Sequence, residues 1–329
     1  MGRIALLGVG HWHAGMYLAA LHELGEQVVG VSDPDRDALA RFPVDCPRYQ
    51  DAGSVLRDQQ PEFVFAFAPH CDMTELVELL VEARQPFAME KPMGLDWRRL
   101  GHVAREADRG GVFTAVALVS RYFPLIARLR QLKDAGELGK PVHLYYRLLA
   151  GPPQRYRDLH VPWMLDPLRA GAGPLYNFGP HVVDLFLYLA DGGVARVSGA
   201  WSHGVHGERI EDLASLLVVG SEGAVGVFEV GYTVPTEYER YFSLTTDALH
   251  YGGPIEEGCI NRRRGSPIQV TGAVSATGTY TLFVADTLCR FRAGRLAVAT
   301  IHDMVSALRV LNAAKLACET GTTVRVSDL

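Results

Sequence analysis

Hydrophobic positions in the first 120 residues fall in short unbroken runs. Each run is followed by a longer stretch in which apolar residues recur every three or four positions. The runs RIALLGVG (3–10), QVVGVSD (27–33), EFVFAFAP (62–69), PFAMEKP (86–92) and VFTAVALV (112–119) predict strands. Between them AGMYLAALHELG (14–25), DRDALARF (35–42), DMTELVELLVEAR (72–84) and WRRLGHVAREADRG (97–110) predict helices. Uniformly apolar strands alternating with helices are the pattern of a doubly wound parallel sheet, covered on both faces. The rhythm changes near residue 120. A helix (FPLIARLRQLKDAGEL) ends at Gly139, PVHLYYRLLAG reads as a strand, and a proline- and arginine-rich irregular segment precedes a helix that starts near His181. From about 195 to 297 the runs ARVSGAWSHG, EDLASLLVVGS, GAVGVFEVGYTV, RYFSLTTDALHYG and TYTLFVADTLCRF read as strands of an open, largely antiparallel sheet. A last helix, DMVSALRVLNAAKLACETG, stops at Gly321. The fold class is therefore α/β, with one domain over 1–120 and a second α/β domain over 121–329.

The charge of −5 over 329 residues, with no basic face in the totals, argues against nucleic acid as a partner. The dense basic run Arg262–Arg263–Arg264 reads as a solvated loop. Cys46, Cys71, Cys259, Cys289 and Cys318 are odd in number and scattered, with no C-x-x-C spacing. This fits neither a disulfide framework nor a structural zinc site, and suits a reducing, cytoplasmic compartment. No run of about 20 apolar residues suggests a membrane span, and the start of the chain does not read as a signal peptide. Apolar runs such as LASLLVVG and AVGVFEVG on an open sheet predict a face buried against another subunit, in a homo-oligomer of two or four chains.

Gly8-Val9-Gly10-His11-Trp12-His13 follows the first strand and opens the first helix, which is the setting of a dinucleotide-binding G-x-G-x-x-G loop. The first glycine permits the tight turn, the second lets backbone approach a pyrophosphate, and the helix N-terminus offers free N–H groups to the anion. His13 stands where the third glycine is usual, leaving Ala14 or Gly15 to permit close helix–strand packing. Asp33 closes the second strand about 20 residues on, where a carboxylate accepts from ribose hydroxyls and repels a 2′-phosphate. NAD is thus the expected cofactor, with NADP the alternative because Arg36 lies near. His11 and His13 have no third ligand near in sequence, and no metal is expected.

Glu90-Lys91-Pro92 ends a strand on the side of the sheet where doubly wound folds bind ligands. With the glycine loop, Asp33, the segment SRYFP…LKDAGELGKP and the motif GAGPLYNFGPHVVDLF, the chain resembles the glucose–fructose oxidoreductase/inositol dehydrogenase (Gfo/Idh/MocA) family along essentially its whole length. The resemblance implies a Rossmann domain joined to an α/β domain whose open sheet often forms oligomer contacts. It implies that Ala68, Pro69 and His70, after the EFVFAFAP strand, lie at the cofactor with Glu90 and Lys91, that Lys91 also touches substrate, and that His181 transfers the proton. Asn177 stands where many members have aspartate, and it orients a hydroxyl without accepting its proton. Asn177 and His181, four apart, share a helix face if one helix spans both. Asp184 either orients the His181 imidazole or is a helix-surface charge. Arg155, Arg157, His160 and Trp163 combine cations with an aromatic face, a composition suited to a sugar, polyol or sugar acid.

The chemistry agrees with dehydrogenation of a carbinol: a base must take the hydroxyl proton and a cation must stabilise the developing alkoxide. Two alternatives stay open. One is an NAD-dependent hydrolase or lyase working by transient oxidation, and the other is a non-catalytic NAD-binding regulator.

Overall fold

A computed structural model describes residues 2–235 and 238–329. The first unit runs β1 (Arg3–Leu7), α1 (Ala14–Glu23), β2 (Gln27–Ser32), α2 (Arg36–Arg41), β3 (Arg48–Tyr49), α3 (Ala52–Gln59), β4 (Phe63–Ala66), α4 (Met73–Glu82), β5 (Phe87–Met89), α5 (Trp97–Gly110) and β6 (Thr114–Val116). Its six strands lie in the order β3-β2-β1-β4-β5-β6 and all pair in parallel. Strands β4 and β5 are buried at every position, which is why their sequences are apolar on both faces rather than alternating. Strand order reverses between β1 and β4, so the crevice beyond their C-terminal ends is the natural ligand site.

The second unit continues with α6 (Pro124–Asp134), β7 (Pro141–Ala150), the short helices α7 (Arg155–Asp158), α8 (Pro167–Ala170) and α9 (Pro174–Asn177), and α10 (Gly179–Leu189). Strands β8 (Val194–Ser202), β9 (Leu213–Gly220), β10 (Val225–Gly231), β11 (Tyr238–Thr246), β12 (Leu249–Gly253), β13 (Gly258–Arg262) and β14 (Ile268–Val270) follow. After them come α11 (Ala276–Arg292), α12 (Ile301–Thr320) and β15 (Val324–Arg325). The nine strands form one sheet, β14-β13-β12-β11-β7-β10-β9-β8-β15, antiparallel except for the parallel β7–β10 pair.

Leu216, Val218, Phe228 and Val230 point from this sheet into the core shared with α10 and α12, so much of the apolar run on β9 and β10 is buried within the chain. The opposite face mixes Leu217, 46% exposed, with polar pairs such as Tyr145–Glu229 and Arg147–Glu239. Gly179 lets α10 approach α12 closely, since a Cβ there would lie 2.6 Å from Leu311.

Three expectations change. The run TYTLFVADTLCRF is helical, not a strand: it forms α11, capped by Ser275, which accepts from the Gly278 N–H. Its buried residues Tyr280, Phe283, Val284 and Leu288 follow helical spacing and pack with α1 residues such as Tyr17 in the first unit. The aromatic and β-branched content suggested a strand, but the 3.6-residue period decides. Asn177 and His181 do not share one helix, because the chain breaks at Phe178 between α9 and α10. Arg262 lies at the end of β13 and pairs with Glu137 rather than in a free loop, while Arg263 and Arg264 are exposed.

Candidate functional site

The loop after β1 is shaped by two glycines. Gly8 has φ +82°, and a Cβ there would sit 1.9 Å from the Phe67 carbonyl oxygen. Its N–H and that of Val9 donate to Ser32 O at 2.7 and 3.1 Å, which binds the loop to the end of β2. Gly10 donates to Asp33 Oδ2 at 2.7 Å, and a Cβ there would lie 2.9 Å from that oxygen. Asp33 Oδ1 accepts from Asp35 N at 2.9 Å. Burial raises the Asp33 pKa, and the two backbone donors work against that rise. Two acceptor positions on the carboxylate remain for a ligand.

Helix α1 carries no side-chain cap; its first turn is closed on the loop backbone, with Ala14 N donating to His11 O and Met16 N to His13 O. Ala14 is buried, and a Cβ on Gly15 would meet nothing, so the close packing expected of the third glycine is supplied by Ala14. A cleft of about 660 Å³ runs past Gly8, Gly10, Asp33 and Ala68-Pro69, with His160 and Trp163 on its far side.

Two buried imidazoles carry unpartnered nitrogens, His11 lining this cleft and His70 packed against Trp163. His11 Nδ1 accepts from His13 N at 3.2 Å, so the neutral ring carries its proton on Nε2, which has no partner. His70 Nδ1 lies 2.9 Å from the Ala170 carbonyl, which only accepts, so His70 Nε2 is a bare lone pair, also without a partner. Burial, then Lys91, pushes His70 down to about 3, so the ring is neutral. A free donor, a free acceptor, an uncapped helix and a glycine cradle fit a dinucleotide. The His11 ring stacks on Trp12 with centroids 3.9 Å apart, and Trp163 packs against Trp12 and the edge of His70.

His13 meets the His11 ring edge-on, its own Nδ1 lying 3.1 Å from Glu90 Oε1 and 3.0 Å from the Tyr280 hydroxyl. Tyr17 donates to the same Glu90 oxygen at 2.8 Å. Burial alone would raise the Glu90 pKa, but His13 and then Lys91 hold it well below the usual carboxylate range. An ionised, buried carboxylate thus stands directly beneath Lys91.

Lys91 is 2% exposed. Its Nζ donates to Asn177 O at 2.9 Å and to Asn177 Oδ1 at 2.7 Å, and lies 5.9 Å from the Trp12 ring centroid. Burial pushes Lys91 down to about 8 against the pull of Glu90. Asn177 Nδ2 donates to the hydroxyls of Tyr156 at 2.6 Å and Tyr232 at 3.1 Å. Helix α9 is held in turn by the buried carboxylate of Glu211, which accepts from Gly173 N and Leu175 N at 2.7 and 2.9 Å. His181 is also buried, its Nδ1 without a partner, and burial followed by Lys91 pushes it down to about 3.

Asp184 neither orients His181 nor lies on the surface. It is 1% exposed and takes a bidentate bond from Arg121, at 2.9 and 2.6 Å. Of the arginine-rich segment, Arg155 lies over the rings of Tyr156 and Tyr232, whereas Arg157 pairs with Glu208 at the surface. Tyr17, Tyr156, Glu211, Tyr232 and Tyr280 carried no sequence motif. Tyr17, Glu211, Tyr232 and Tyr280 lie in runs that read only as helix or strand, and Tyr156 lies between Arg155 and Arg157, both expected substrate contacts.

Comparison with known proteins agrees with this geometry. Residues 2–118 match the oxidoreductase family with an NAD-binding Rossmann fold, and residues 126–248 match the GFO/IDH/MocA C-terminal domain. The chain is 26% identical over 256 residues to a 1-carboxy-3-chloro-3,4-dihydroxycyclohexa-1,5-diene dehydrogenase of Comamonas testosteroni, over 75% of this chain and 60% of that protein. It is 24% identical to a scyllo-inositol 2-dehydrogenase (NAD(+)) of Bacillus subtilis, over 82% of this chain and 78% of the other. Among solved structures, a levoglucosan dehydrogenase complexed with NADH and levoglucosan superposes with a TM-score of 0.84 at 16% identity, over 98% of this chain and 99% of that one. Among the described residues, no helix is long and apolar enough to cross a membrane. The chain belongs to the Gfo/Idh/MocA family of oxidoreductases and carries that family's NAD-binding Rossmann domain.

Proposed function

We propose that the protein is an NAD-dependent dehydrogenase acting on a hydroxyl-bearing carbon of a sugar, polyol or cyclitol. The observation that carries this reading is Lys91. Asn177 takes two of the three positions on its nitrogen, and the third is left for a substrate oxygen. The relatives named for scyllo-inositol and levoglucosan support the substrate class. Gly8, Gly10, Trp12, His13, Ala68 and Pro69 would shape the cofactor's bed, and Asp33 would accept from its adenosine ribose. His11 would donate and His70 accept toward it. When bound, the nicotinamide supplies the exchange of hydride with the carbinol carbon.

The chain's own groups divide the proton work. A base serves best when its pKa lies near the working pH, which favours the amine of Lys91 at about 8 over His181 at about 3. As an amine, Lys91 keeps its two N–H bonds to Asn177 and offers its lone pair to the hydroxyl proton. As an ammonium, it stabilises the alkoxide or returns the proton in the reverse direction. His181, neutral, holds the substrate hydroxyl by hydrogen bond. Asn177 keeps the lysine aimed without adding a charge that would raise its pKa.

Carbinol oxidation should therefore rise with pH through about 8 and level off above it, as Lys91 loses its proton. Asn177→Asp places a carboxylate against Nζ and should move this limb up by about one pH unit or more. Single-turnover NAD reduction with a panel of sugars and cyclitols between about pH 6 and 10, about two units either side of the Lys91 value of about 8, measures both. A limb that stays in place in Asn177→Asp removes Lys91 as the titrating group. Turnover without net NADH would point instead to the transient oxidation of a hydrolase or lyase.

Asp33 predicts the choice of cofactor. Its carboxylate faces the ribose end of the cleft and repels a 2′-phosphate, so NAD should bind at least about tenfold more tightly than NADP, or about 1.4 kcal/mol. Titration by the fluorescence of Trp12 and Trp163 measures this, and Asp33→Ser should narrow the gap. Tighter NADP binding by the native protein would overturn the assignment.

A further inference from the structure

Arg155, the first residue of α7, is a half-buried cation for which no acid partner is found among the described residues. Its guanidinium carbon lies 5.0 Å from the ring centroid of Tyr156, 5.3 Å from Tyr232, 5.6 Å from Tyr238 and 6.0 Å from Phe178. Its one hydrogen bond among those residues runs from Nη2 to the Tyr156 hydroxyl at 3.1 Å. Arg157, two positions on, pairs with Glu208, and Arg240, stacked on Tyr238 at 4.5 Å, lies 3.6 Å from Glu256. Arg155 is thus held by neutral groups, with most of its five N–H donors uncommitted.

It is also wired to the reacting end of the site. The Tyr156 hydroxyl that accepts from Arg155 accepts from Asn177 Nδ2 at 2.6 Å, and Asn177 Oδ1 accepts from Lys91 at 2.7 Å. Three hydrogen bonds therefore link the guanidinium to the ammonium. The Trp12 ring packs edge-on to Tyr156, its centroid 5.6 Å away, on the Lys91 side. Among the described residues, Glu90 answers the charge of Lys91 and Glu256 that of Arg240, which leaves one positive charge in excess at Arg155. Aromatic faces attract a guanidinium and fix its plane, while its N–H edge stays open to a planar, bidentate acceptor.

We propose that the substrate is an anion, a hydroxy acid of the sugar-acid or carboxylated-cyclitol class, whose carboxylate docks on Arg155 while its carbinol faces Lys91 and His181. The carbinol half rests on the dehydrogenase reading above, whereas the carboxylate half rests on Arg155. A single guanidinium matches one carboxylate. A phosphate dianion would call for further donors, and the one position on Lys91 not held by Asn177 is taken by the carbinol.

The test uses matched acid and neutral ligands, quinate with its amide and D-galacturonate with D-galactose, together with glucose 6-phosphate. Binding is measured by calorimetry to the protein saturated with NADH, and turnover is measured separately. At least one acid should bind roughly 10- to 100-fold more tightly than its neutral partner, the range of a charge-assisted hydrogen bond. Arg155→Met should abolish that ratio and Arg155→Lys should retain part of it, while retained NADH binding reports that each variant is folded. Equal or tighter binding of the neutral partners overturns the proposal, as does a ratio that survives in Arg155→Met or a preference for glucose 6-phosphate over every carboxylate. Arg155-dependent binding of an acid that never reduces NAD would sink the dehydrogenase reading and leave the anion site standing. Oxidation of neutral polyols with no acid preference would do the reverse.

Discussion

Lys91→Ala is expected to lower turnover by roughly 100- to 1,000-fold through loss of alkoxide stabilisation alone, and further through loss of the base, while NAD binding stays nearly intact. The ammonium is buried between an ionised carboxylate, Glu90, and the amide of Asn177, and no other cation donates to Asn177 among the described residues. Removing it leaves Asn177 Oδ1 and Glu90 facing a gap. His181 is a poorer base in this site, because burial lowers its pKa even when Lys91 is gone. The companion variant His181→Ala should cost much less, about tenfold, the worth of one neutral hydrogen bond. Single-turnover NAD reduction and a separate NAD titration separate chemistry from binding. If His181→Ala proves the more damaging of the two, the proton path runs through the imidazole and the division of roles proposed here is wrong.

That division was only half legible in the sequence. Hydrophobic runs, glycine positions and the Glu-Lys-Pro motif located the parallel sheet, the Gly8–Gly10 turn, Asp33 and Lys91, because each is a local pattern imposed by a local backbone need. Which group carries the proton depends on burial and on neighbours distant in the chain, such as Asn177 beside Lys91 and Tyr156 beside Asn177, and no spacing rule encodes these. His13 shows the same limit. It reads as a defect in the glycine fingerprint, yet it meets Glu90 and Tyr280, the latter 267 residues away on α11. That helix was itself misread as a strand, since Thr, Tyr, Val and Phe favour strands locally, whereas its packing against α1 rewards the helical period. Asp184 was open in sequence for a related reason: its partner, Arg121, is 63 residues earlier.

Arg121 carries the largest expected effect on stability. The side chain lies near the junction of the two units, between β6 and α6, and is almost wholly buried. Its Nε and Nη2 donate to both oxygens of Asp184, Nη2 also donates to Asp303 Oδ1 at 2.8 Å, and Nη1 donates to Val298 O at 2.6 Å. The guanidinium also stacks on Tyr188 at 4.2 Å. One residue thus ties α10, α12 and the segment before α12 to the end of the first unit. Arg121→Met keeps much of the volume but leaves Asp184 buried and unpaired, which should cost about 3–5 kcal/mol. In a chain of this size that corresponds to a fall in Tm of about 4–7 °C, measurable by thermal unfolding. The deficit should depend on pH in a defined sense. An unpaired buried carboxyl has a folded-state pKa above its unfolded value, so the penalty is full above that folded-state value and shrinks as pH falls through it toward the unfolded value near 4. Adding Asp184→Leu to Arg121→Met should recover part of the loss, because it removes the stranded charge rather than a second favourable contact. Losses that simply add, with no change toward acid pH, would mean that the buried pair is not what holds the units together.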